Sequence, residues 1–201
     1  MSDRGMDRRV SAVIRMLFVR HGATAGNLEK RYIGSTDEPL CEKGIAQIKA
    51  LRTHSWKPDR LFVSPMTRTK QTADLLFPDV PQTVVKDFRE TDFGMFEGRN
   101  AVELSAVPEY QAWVDNLCVD PIPQGESPSD FKARCCKAFG EVLPTIQEDS
   151  TAAFVVHGGG IMAILEAYAR PQLGFYDYHI GNGDYLWCTY EKGHLHIMPA
   201  G

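Results

Sequence analysis

The order of predicted elements along the chain indicates an α/β fold. Short apolar segments alternate with longer segments whose apolar residues recur at helical spacing. The strand-like segments are apolar almost without interruption, which is typical of strands covered on both faces in a parallel sheet. Near the C-terminus, two further strand-like segments flank Lys192-Gly193, which favours an antiparallel hairpin. We therefore predict a three-layer α/β/α architecture with a doubly wound, mostly parallel sheet and an antiparallel edge strand.

The first half of the chain contains three predicted strands and two predicted helices. Residues 1–12 are polar and charged, and we interpret them as a loose leader. Residues 13–19 form a nearly continuous apolar run typical of a central strand, whereas the glycine-containing segment 21–40 is typical of a long functional loop. The remaining elements are a helix at 42–52, a strand at 61–65, a helix at 66–77 that begins beside Pro65, and a strand at 83–86.

The second half begins with an irregular region and ends in regular elements. Short helical pieces separated by Pro108 are predicted within residues 100–116. Tyr110 and Trp113 make the wider segment 100–126 a candidate helical lid. The elements that follow are a helix at 127–147 capped by a serine, a buried strand at 152–156, a helix at 161–168, and hairpin strands at 185–190 and 194–198.

Length, charge and apolar runs limit the class of function. The 201 residues are enough for one substantial core, and we expect residues 13–201 to form a single domain. The 22 lysines and arginines against 26 aspartates and glutamates give a net charge of -4 without a basic tract, which argues against nucleic acid as a partner. The apolar run near the start is too short for a membrane span or a signal core, so we expect a cytoplasmic protein without a membrane partner.

The cysteines and the C-terminal histidines give only weak signals of a metal site. The five cysteines lack CxxC spacing, which argues against a disulfide framework and against structural zinc. His194 and His196 lie at strand spacing and are candidate ligands, but solvated positions in the terminal hairpin are the favoured interpretation. We therefore predict no metal and no cofactor.

Two predicted strands end in histidine. The first strand is followed by Arg20-His21, and a later strand is followed by His157-Gly158. Ligands of open α/β sheets bind beyond the carboxyl ends of the strands, so basic residues at two strand ends predict a site for an anion. Arg68 lies in the first turn of its predicted helix, where a cation is disfavoured unless an anion binds nearby.

These residue types fit phosphoryl transfer. His21 would attack phosphorus, while Arg20 and Arg68 would bind the equatorial oxygens. His157 would donate a further hydrogen bond as an imidazolium. Glu90 lies among phenylalanines and glycines, and it would protonate the leaving oxygen and then deprotonate the attacking water. No step of this scheme requires a metal.

Other chemistries lack their motifs in this chain. There is no GxxxxGK[ST] loop and no GxGxxG segment, which are typical of nucleotide sites. The His157-Gly158-Gly159-Gly160 segment is an alternative candidate for the oxyanion loop of a serine hydrolase, but the GxSxG nucleophile elbow of that class is missing.

Four segments, taken in this order, resemble the histidine phosphatase superfamily, whose members have the phosphoglycerate-mutase-like fold. The segments are Arg20-His21-Gly22 with Thr24 and Asn27, Ser64-Pro65 with Arg68, Glu90 in a Glu-Thr-Asp-Phe-Gly context, and His157-Gly158. The resemblance implies that His21 is phosphorylated and that Glu90 donates the proton. It implies a phosphate pocket made of Arg20, Arg68 and His157, and substrate contacts from Asn27, Gly34, Thr24 and Gly158.

The chain departs from the family pattern in three respects. Ala23 stands where the family often has glutamate or glutamine, and Cys41 stands where a helix-capping threonine is common. Neither departure removes a catalytic group. The chain is also shorter than typical cofactor-dependent phosphoglycerate mutases and lacks their long insertion. Hydrolysis of a small phosphorylated metabolite is therefore favoured over mutase activity.

The resemblance also suggests a substrate and leaves alternatives open. Residues 32–40 and 125–127 are similar to α-ribazole phosphatases of cobalamin biosynthesis, which makes α-ribazole 5'-phosphate a candidate substrate. One alternative is a phosphotransferase of the phosphoglycerate mutase type. Another is a non-catalytic sensor of a phosphate ligand on the same fold, although the chain retains every expected catalytic group. Monomer and homodimer both remain open.

Overall fold

The computed structural model describes residues 13–199, so the leader predicted at 1–12 lies outside the described residues. The described chain contains a six-stranded sheet in the order β3-β2-β4-β1-β5-β6. The strands are β1 (Ile14–Arg20), β2 (Arg60–Val63), β3 (Gln82–Val84), β4 (Thr151–Val156), β5 (Tyr185–Glu191) and β6 (His194–Ile197). The first four strands are parallel, and β5 runs antiparallel to both β1 and β6. The predicted fold class is confirmed, with β5 as the antiparallel strand and β6 completing that edge.

Helices cover both faces of the sheet. They are α1 (Ala25–Leu28), α2 (Glu42–Leu51), α3 (Thr67–Leu76), α4 (Ala101–Leu104), α5 (Pro108–Asp115), α6 (Pro128–Val142) and α7 (Gly158–Tyr168). Neighbouring residues of β1 point to opposite faces. Leu17 packs in the cluster that contains Ile48 of α2 and Ala73 of α3, whereas Phe18 packs in the cluster that contains Phe139 of α6. Within residues 13–199, no helix is both long and apolar enough to cross a membrane.

The helix α7 begins earlier than its sequence pattern predicts. The sequence pattern starts this helix at residue 161 because glycine has a low helix propensity, but the structure starts it at Gly158, with His157 as the N-cap. The glycines allow a close approach. A Cβ atom at Gly158 would lie 3.2 Å from the guanidinium carbon of Arg20. The first turn of α7 is therefore packed directly against a functional side chain.

Residues 100–126 contain α4 and α5, and side chains of this segment belong to a small hydrophobic cluster separate from the two main clusters of the core. The cluster contains Phe96, Leu104, Tyr110, Trp113 and Ile122. The predicted helical pieces are confirmed, although Pro108 begins α5 rather than lying between two helices. A lid function for this region stays a prediction.

Candidate functional site

The carboxyl ends of the central parallel strands meet at one edge of the sheet. Arg20 ends β1, and its register partner is Val156, the last residue of β4. His21 and His157 therefore follow neighbouring strands, and their ring centroids lie 5.1 Å apart in an edge-to-face arrangement. The structure brings the two strand-end histidines together.

The imidazole of His21 has one defined tautomer. Its Nδ1 lies 2.7 Å from the carbonyl oxygen of Gly22. Because a carbonyl oxygen only accepts hydrogen bonds, Nδ1 carries the proton and Nε2 keeps its lone pair. Burial, together with the positive charge of Arg68, lowers the pKa of His21 to about 3. The ring is therefore neutral near pH 7 and able to act as a nucleophile through Nε2.

His157 is hydrogen-bonded to Ser64 through its ring Nε2. The Ser64 Oγ lies 2.7 Å from His157 Nε2 and also accepts from the backbone N–H of Met66 at 3.4 Å. Either partner of the bond between Ser64 and His157 can be the donor, and donation by the serine hydroxyl corresponds to a ring proton on Nδ1. Burial, followed by the positive charge of Arg68, holds the pKa of His157 well below 6.5. The imidazolium form predicted from the sequence is therefore disfavoured, and the neutral ring with its proton on Nδ1 is the form that can donate to a bound anion.

The half-buried Arg20 and the fully buried Arg68 flank the histidines, and neither is within ion-pair distance of a carboxylate of residues 13–199. Arg20 donates from Nη1 to the carbonyl oxygen of Ile180 at 2.7 Å. Arg68 donates to the carbonyl oxygens of Thr36 at 2.8 Å and Gly34 at 3.0 Å. Burial lowers the pKa of both guanidinium groups. Positive charge is therefore concentrated at a buried site, which favours a bound anion.

Three buried side-chain nitrogen atoms at this site have no hydrogen-bond partner among residues 13–199. They are Arg20 Nε, Arg68 Nε and His157 Nδ1. Leaving a buried donor unsatisfied costs about 1–3 kcal/mol, so native proteins rarely do so without a functional reason. Three such donors on basic side chains fit an oxyanion with several acceptor oxygens.

Glu90 supplies the acidic group beside these donors. Its Oε1 accepts from the backbone N–H of Thr91 at 3.0 Å, and its Oε2 accepts from the backbone N–H of Gly159 at 3.4 Å. A Cβ atom at Gly159 would lie 2.6 Å from Oε1, so only glycine leaves room for the carboxyl group there. The N-terminus of α7 and the carboxyl group of Glu90 are thus in direct contact.

A further arginine holds the backbone that carries Glu90. Arg134 of α6 donates to the carbonyl oxygens of Asp87 and Arg89, both at 2.8 Å. It also donates to the Glu90 carbonyl oxygen at 2.9 Å. Glu126 completes the network by accepting two hydrogen bonds from Arg134, at 2.6 and 2.8 Å. Arg134 is therefore a positioning residue for the segment that contains the carboxyl group.

Thr24 and Asn27 form a reciprocal cap at the start of α1. Thr24 Oγ1 accepts from the Asn27 backbone N–H at 3.2 Å, and Asn27 Oδ1 accepts from the Thr24 backbone N–H at 3.2 Å. Asn182 Nδ2 donates to Asn27 Oδ1 at 3.1 Å and to the His21 carbonyl oxygen at 3.4 Å. Local structure accounts for the contacts of this pair, and a substrate contact from either residue stays a prediction.

The two predicted glycines support the arginines. Gly34 accepts from Arg68 through its carbonyl oxygen at 3.0 Å and donates its backbone N–H to Glu97 Oε1 at 2.7 Å. Gly158 lies against Arg20, as described above for α7. A direct substrate contact from Gly34 or Gly158 stays a prediction.

Three side chains at the site, Ser64, Asn182 and Arg134, have roles that the sequence did not predict, although Ser64 belongs to one of the four family-like segments. Ser64 directly follows β2, so it lies at the same edge of the sheet as the histidines that follow β1 and β4. Asn182 precedes β5, and because β5 is antiparallel, the loop before it reaches the same edge of the sheet. Arg134 lies inside a helix and has no sequence signal of its role.

A cavity of about 460 Å³ opens beside this group, and its walls include Arg20, Glu90, Gly158 and Gly159. The rest of its lining is largely aromatic or aliphatic. The cavity is large enough to accept more than a phosphate group.

No group of three or more histidine, cysteine, aspartate or glutamate side chains in the described part of the chain is arranged to hold a metal ion. His194 and His196 both lie in β6, in the terminal hairpin.

The sequence and the fold are similar to those of known phosphatases and phosphoglycerate mutases. The chain is 33% identical over 161 residues to 2,3-bisphosphoglycerate-dependent phosphoglycerate mutase 2 of Gloeobacter violaceus, covering 75% of this chain and 73% of that protein. It is 30% identical over 178 residues to the adenosylcobalamin/alpha-ribazole phosphatase of Salmonella typhimurium, covering 85% and 87% of the two chains. The crystal structure of the alpha-ribazole phosphatase from Shigella flexneri has the same fold, with a TM-score of 0.83 at 20% identity over 92% of this chain and 94% of that one. The family model of the histidine phosphatase superfamily (branch 1) matches residues 16–199, and the chain belongs to that family.

Proposed function

We propose that this protein is a metal-independent phosphomonoesterase that acts on a small phosphorylated metabolite through a phosphohistidine intermediate. The observation that carries the proposal is the set of three buried nitrogens, on Arg20, Arg68 and His157, that lack a hydrogen-bond partner within residues 13–199 beside the neutral imidazole of His21. A phosphoryl group satisfies all of these donors at once. Its three equatorial oxygens accept the hydrogen bonds while phosphorus faces the imidazole.

The first half-reaction transfers the phosphoryl group to the protein. The Nε2 lone pair of His21 forms a bond to phosphorus as the bond between phosphorus and the ester oxygen breaks. Glu90, in its carboxylic acid form, gives its proton to that oxygen, and the alcohol leaves. Arg20 and Arg68 bind the equatorial oxygens and stabilise the charge that they carry in the transition state.

The second half-reaction restores the protein. Glu90, now a carboxylate, accepts a proton from a water molecule, whose oxygen forms a bond to phosphorus. The bond between phosphorus and His21 Nε2 breaks, and inorganic phosphate leaves. His157 donates from Nδ1 to the transferred group in both steps, and it does so as a neutral ring.

The test of this mechanism is the replacement of His21 by alanine, with His196→Ala as a control because His196 is an exposed histidine of β6. We expect His21→Ala to lose all turnover of nitrophenyl phosphate, and we expect wild-type protein to yield an acid-labile phosphoenzyme in rapid quench. His196→Ala should match wild type. Normal turnover by His21→Ala would overturn the proposal.

The role of Glu90 has a separate test. Glu90→Gln should slow hydrolysis of an alkyl phosphate by about 10²–10⁴-fold, because an alkoxide leaves poorly without a proton. Nitrophenyl phosphate should lose far less, because nitrophenolate needs little protonation. Equal losses on both esters would remove Glu90 from the donor role.

α-Ribazole 5'-phosphate is our candidate for the natural substrate. Its support is the similarity to the Salmonella typhimurium protein named as an adenosylcobalamin/alpha-ribazole phosphatase. The test is a screen of phosphate release from metabolite phosphomonoesters that includes this compound. A much higher kcat/KM for another metabolite would reject it.

Mutase-type phosphotransfer is the second candidate, because a relative of similar identity is named a phosphoglycerate mutase. Exchange between 2- and 3-phosphoglycerate without phosphate release would support it. A non-catalytic sensor would bind a phosphate ligand and turn over neither class of compound.

A further inference from the structure

The wall of the cavity beyond the phosphate donors is dominated by aromatic rings. Six phenylalanine, tyrosine and tryptophan side chains line it, from five separate parts of the chain: Tyr32, Phe93, Trp113, Phe131, Phe175 and Tyr176. Aliphatic side chains fill the gaps between them. Such a lining is typical of a site for an apolar or planar group.

The same wall contains few charged side chains that could bind an anionic group. Apart from Arg20 and Glu90, Lys132 is the one lysine, arginine, aspartate or glutamate among the described residues that line it. Its Nζ lies 2.7 Å from a carboxylate oxygen of Glu166 and 4.3 Å from the ring centroid of Phe175. This ammonium group is already paired, so His179 is the one further side chain of the described lining that could carry a positive charge toward a second carboxylate on the substrate.

The inner part of the wall is held by contacts between aromatic side chains, whereas its outer rim is exposed. The Tyr32 hydroxyl is hydrogen-bonded to that of Tyr110 at 3.0 Å, and the Tyr32 ring packs edge-to-face on Trp113. At the rim, Leu117 is 79% exposed and Tyr176 is 68% exposed. These exposed apolar side chains border the cavity and are available to contact an apolar group of a ligand.

We propose that this cavity binds the alcohol part of the phosphomonoester and selects an uncharged aromatic or bulky apolar group over a small acidic one. The proposal rests on the phosphomonoesterase function above and adds its substrate class. Tyr176 is a specificity-determining residue in this arrangement, because its exposed ring covers the apolar group and does not touch the phosphate donors.

The test compares 2-phenylethyl phosphate with ethyl phosphate, whose alcohols differ by a ring and little in acidity, and with 3-phosphoglycerate. Burying a phenyl ring predicts a kcat/KM about 10–150-fold higher for 2-phenylethyl phosphate than for ethyl phosphate. Tyr176→Ala should reduce this preference by about 5-fold, because it lowers kcat/KM for 2-phenylethyl phosphate more than kcat/KM for ethyl phosphate. Leu173→Ala is the control, because Leu173 is similarly exposed but lies outside the cavity lining.

The outcomes separate the two proposals. A wild-type preference for 3-phosphoglycerate, or equal kcat/KM for the two alkyl esters, would overturn the substrate class while leaving the phosphatase function intact. Turnover of none of the esters would contradict the phosphatase function. In that case the substrate class is tested by calorimetry, which compares the affinities for 2-phenylethylphosphonate and ethylphosphonate. Equal affinities would overturn the proposed substrate class.

Discussion

Replacing Ser64 by alanine tests how the site controls the proton of His157. The bond from Ser64 Oγ to His157 Nε2 is 2.7 Å long, and both residues are fully buried. In Ser64→Ala, Nε2 loses its donor, and the ring proton distributes over both nitrogens. In the molecules with the proton on Nε2, the Nδ1 lone pair faces the phosphate oxygens and repels them.

The size of the effect follows from the hydrogen bond that is lost. A hydrogen bond to a charged group contributes about 1.5–3 kcal/mol, which is roughly 10–150-fold in kcat/KM. His157→Ala removes the donor in every molecule and should approach the upper value. Ser64→Ala leaves some molecules with the proton on Nδ1, so we expect a loss of about 10–30-fold.

The measurement is kcat/KM for nitrophenyl phosphate together with the inhibition constant of inorganic phosphate. Thr69→Val is the matched control, because Thr69 is a buried hydroxyl of the same turn that donates to the Ser64 carbonyl oxygen at 2.9 Å. Thermal unfolding of both variants separates a loss of stability from a loss of function. ¹⁵N NMR of the His157 ring reports the tautomer directly.

Two results would refute this reasoning. One is a Ser64→Ala protein whose kcat/KM and phosphate affinity stay within about twofold of wild type. The other is a double variant in which Ser64→Ala still lowers kcat/KM about tenfold relative to His157→Ala alone. A residue that acts through His157 should have no further effect once His157 is replaced.

The remaining predictions concern Glu90 and the buried histidines. Gly159→Ala should displace Glu90 and slow the hydrolysis of alkyl phosphates more than that of nitrophenyl phosphate. Gly160→Ala is the control and should change both rates little, because its Cβ would lie 3.9 Å from the nearest side chain. Equal losses on both esters in Gly159→Ala would contradict this prediction. The pKa of His21 is lowered from 6.5 to about 3, and that of His157 is also lowered. Below pH 6.5 these histidines are therefore protonated in the unfolded chain but remain neutral in the folded protein. The free energy of unfolding from urea titrations should therefore fall as the pH drops from about 7.5 to about 5, by about 1.4 kcal/mol per pH unit for each such proton once the pH is below 6.5. His157→Asn should remove about one proton of that slope, and an unchanged slope would show that His157 is not the source.

Much of the fold follows from local sequence patterns. The continuous apolar runs of β1 and β4 indicate a parallel sheet, because each strand is covered on both faces. Histidines directly after those runs must then meet at one edge, whatever the details of packing. The start of α7 was misplaced, because the low helix propensity of its glycines hides the close packing that requires them.

The proton positions at the site are a different matter, because they depend on contacts between distant residues. Ser64 and His157 are 93 positions apart, and nothing in either local sequence states that the serine hydroxyl meets Nε2. The low pKa of His21 arises from burial and from the charge of Arg68, neither of which is visible before the chain folds. Short-range pattern thus determines the strands and the residues at their ends. The burial of the histidines, their tautomers and the aromatic wall of the cavity are established only when separate segments pack together. Each of these features depends on the neighbours of a residue in space and not on the type of the residue alone.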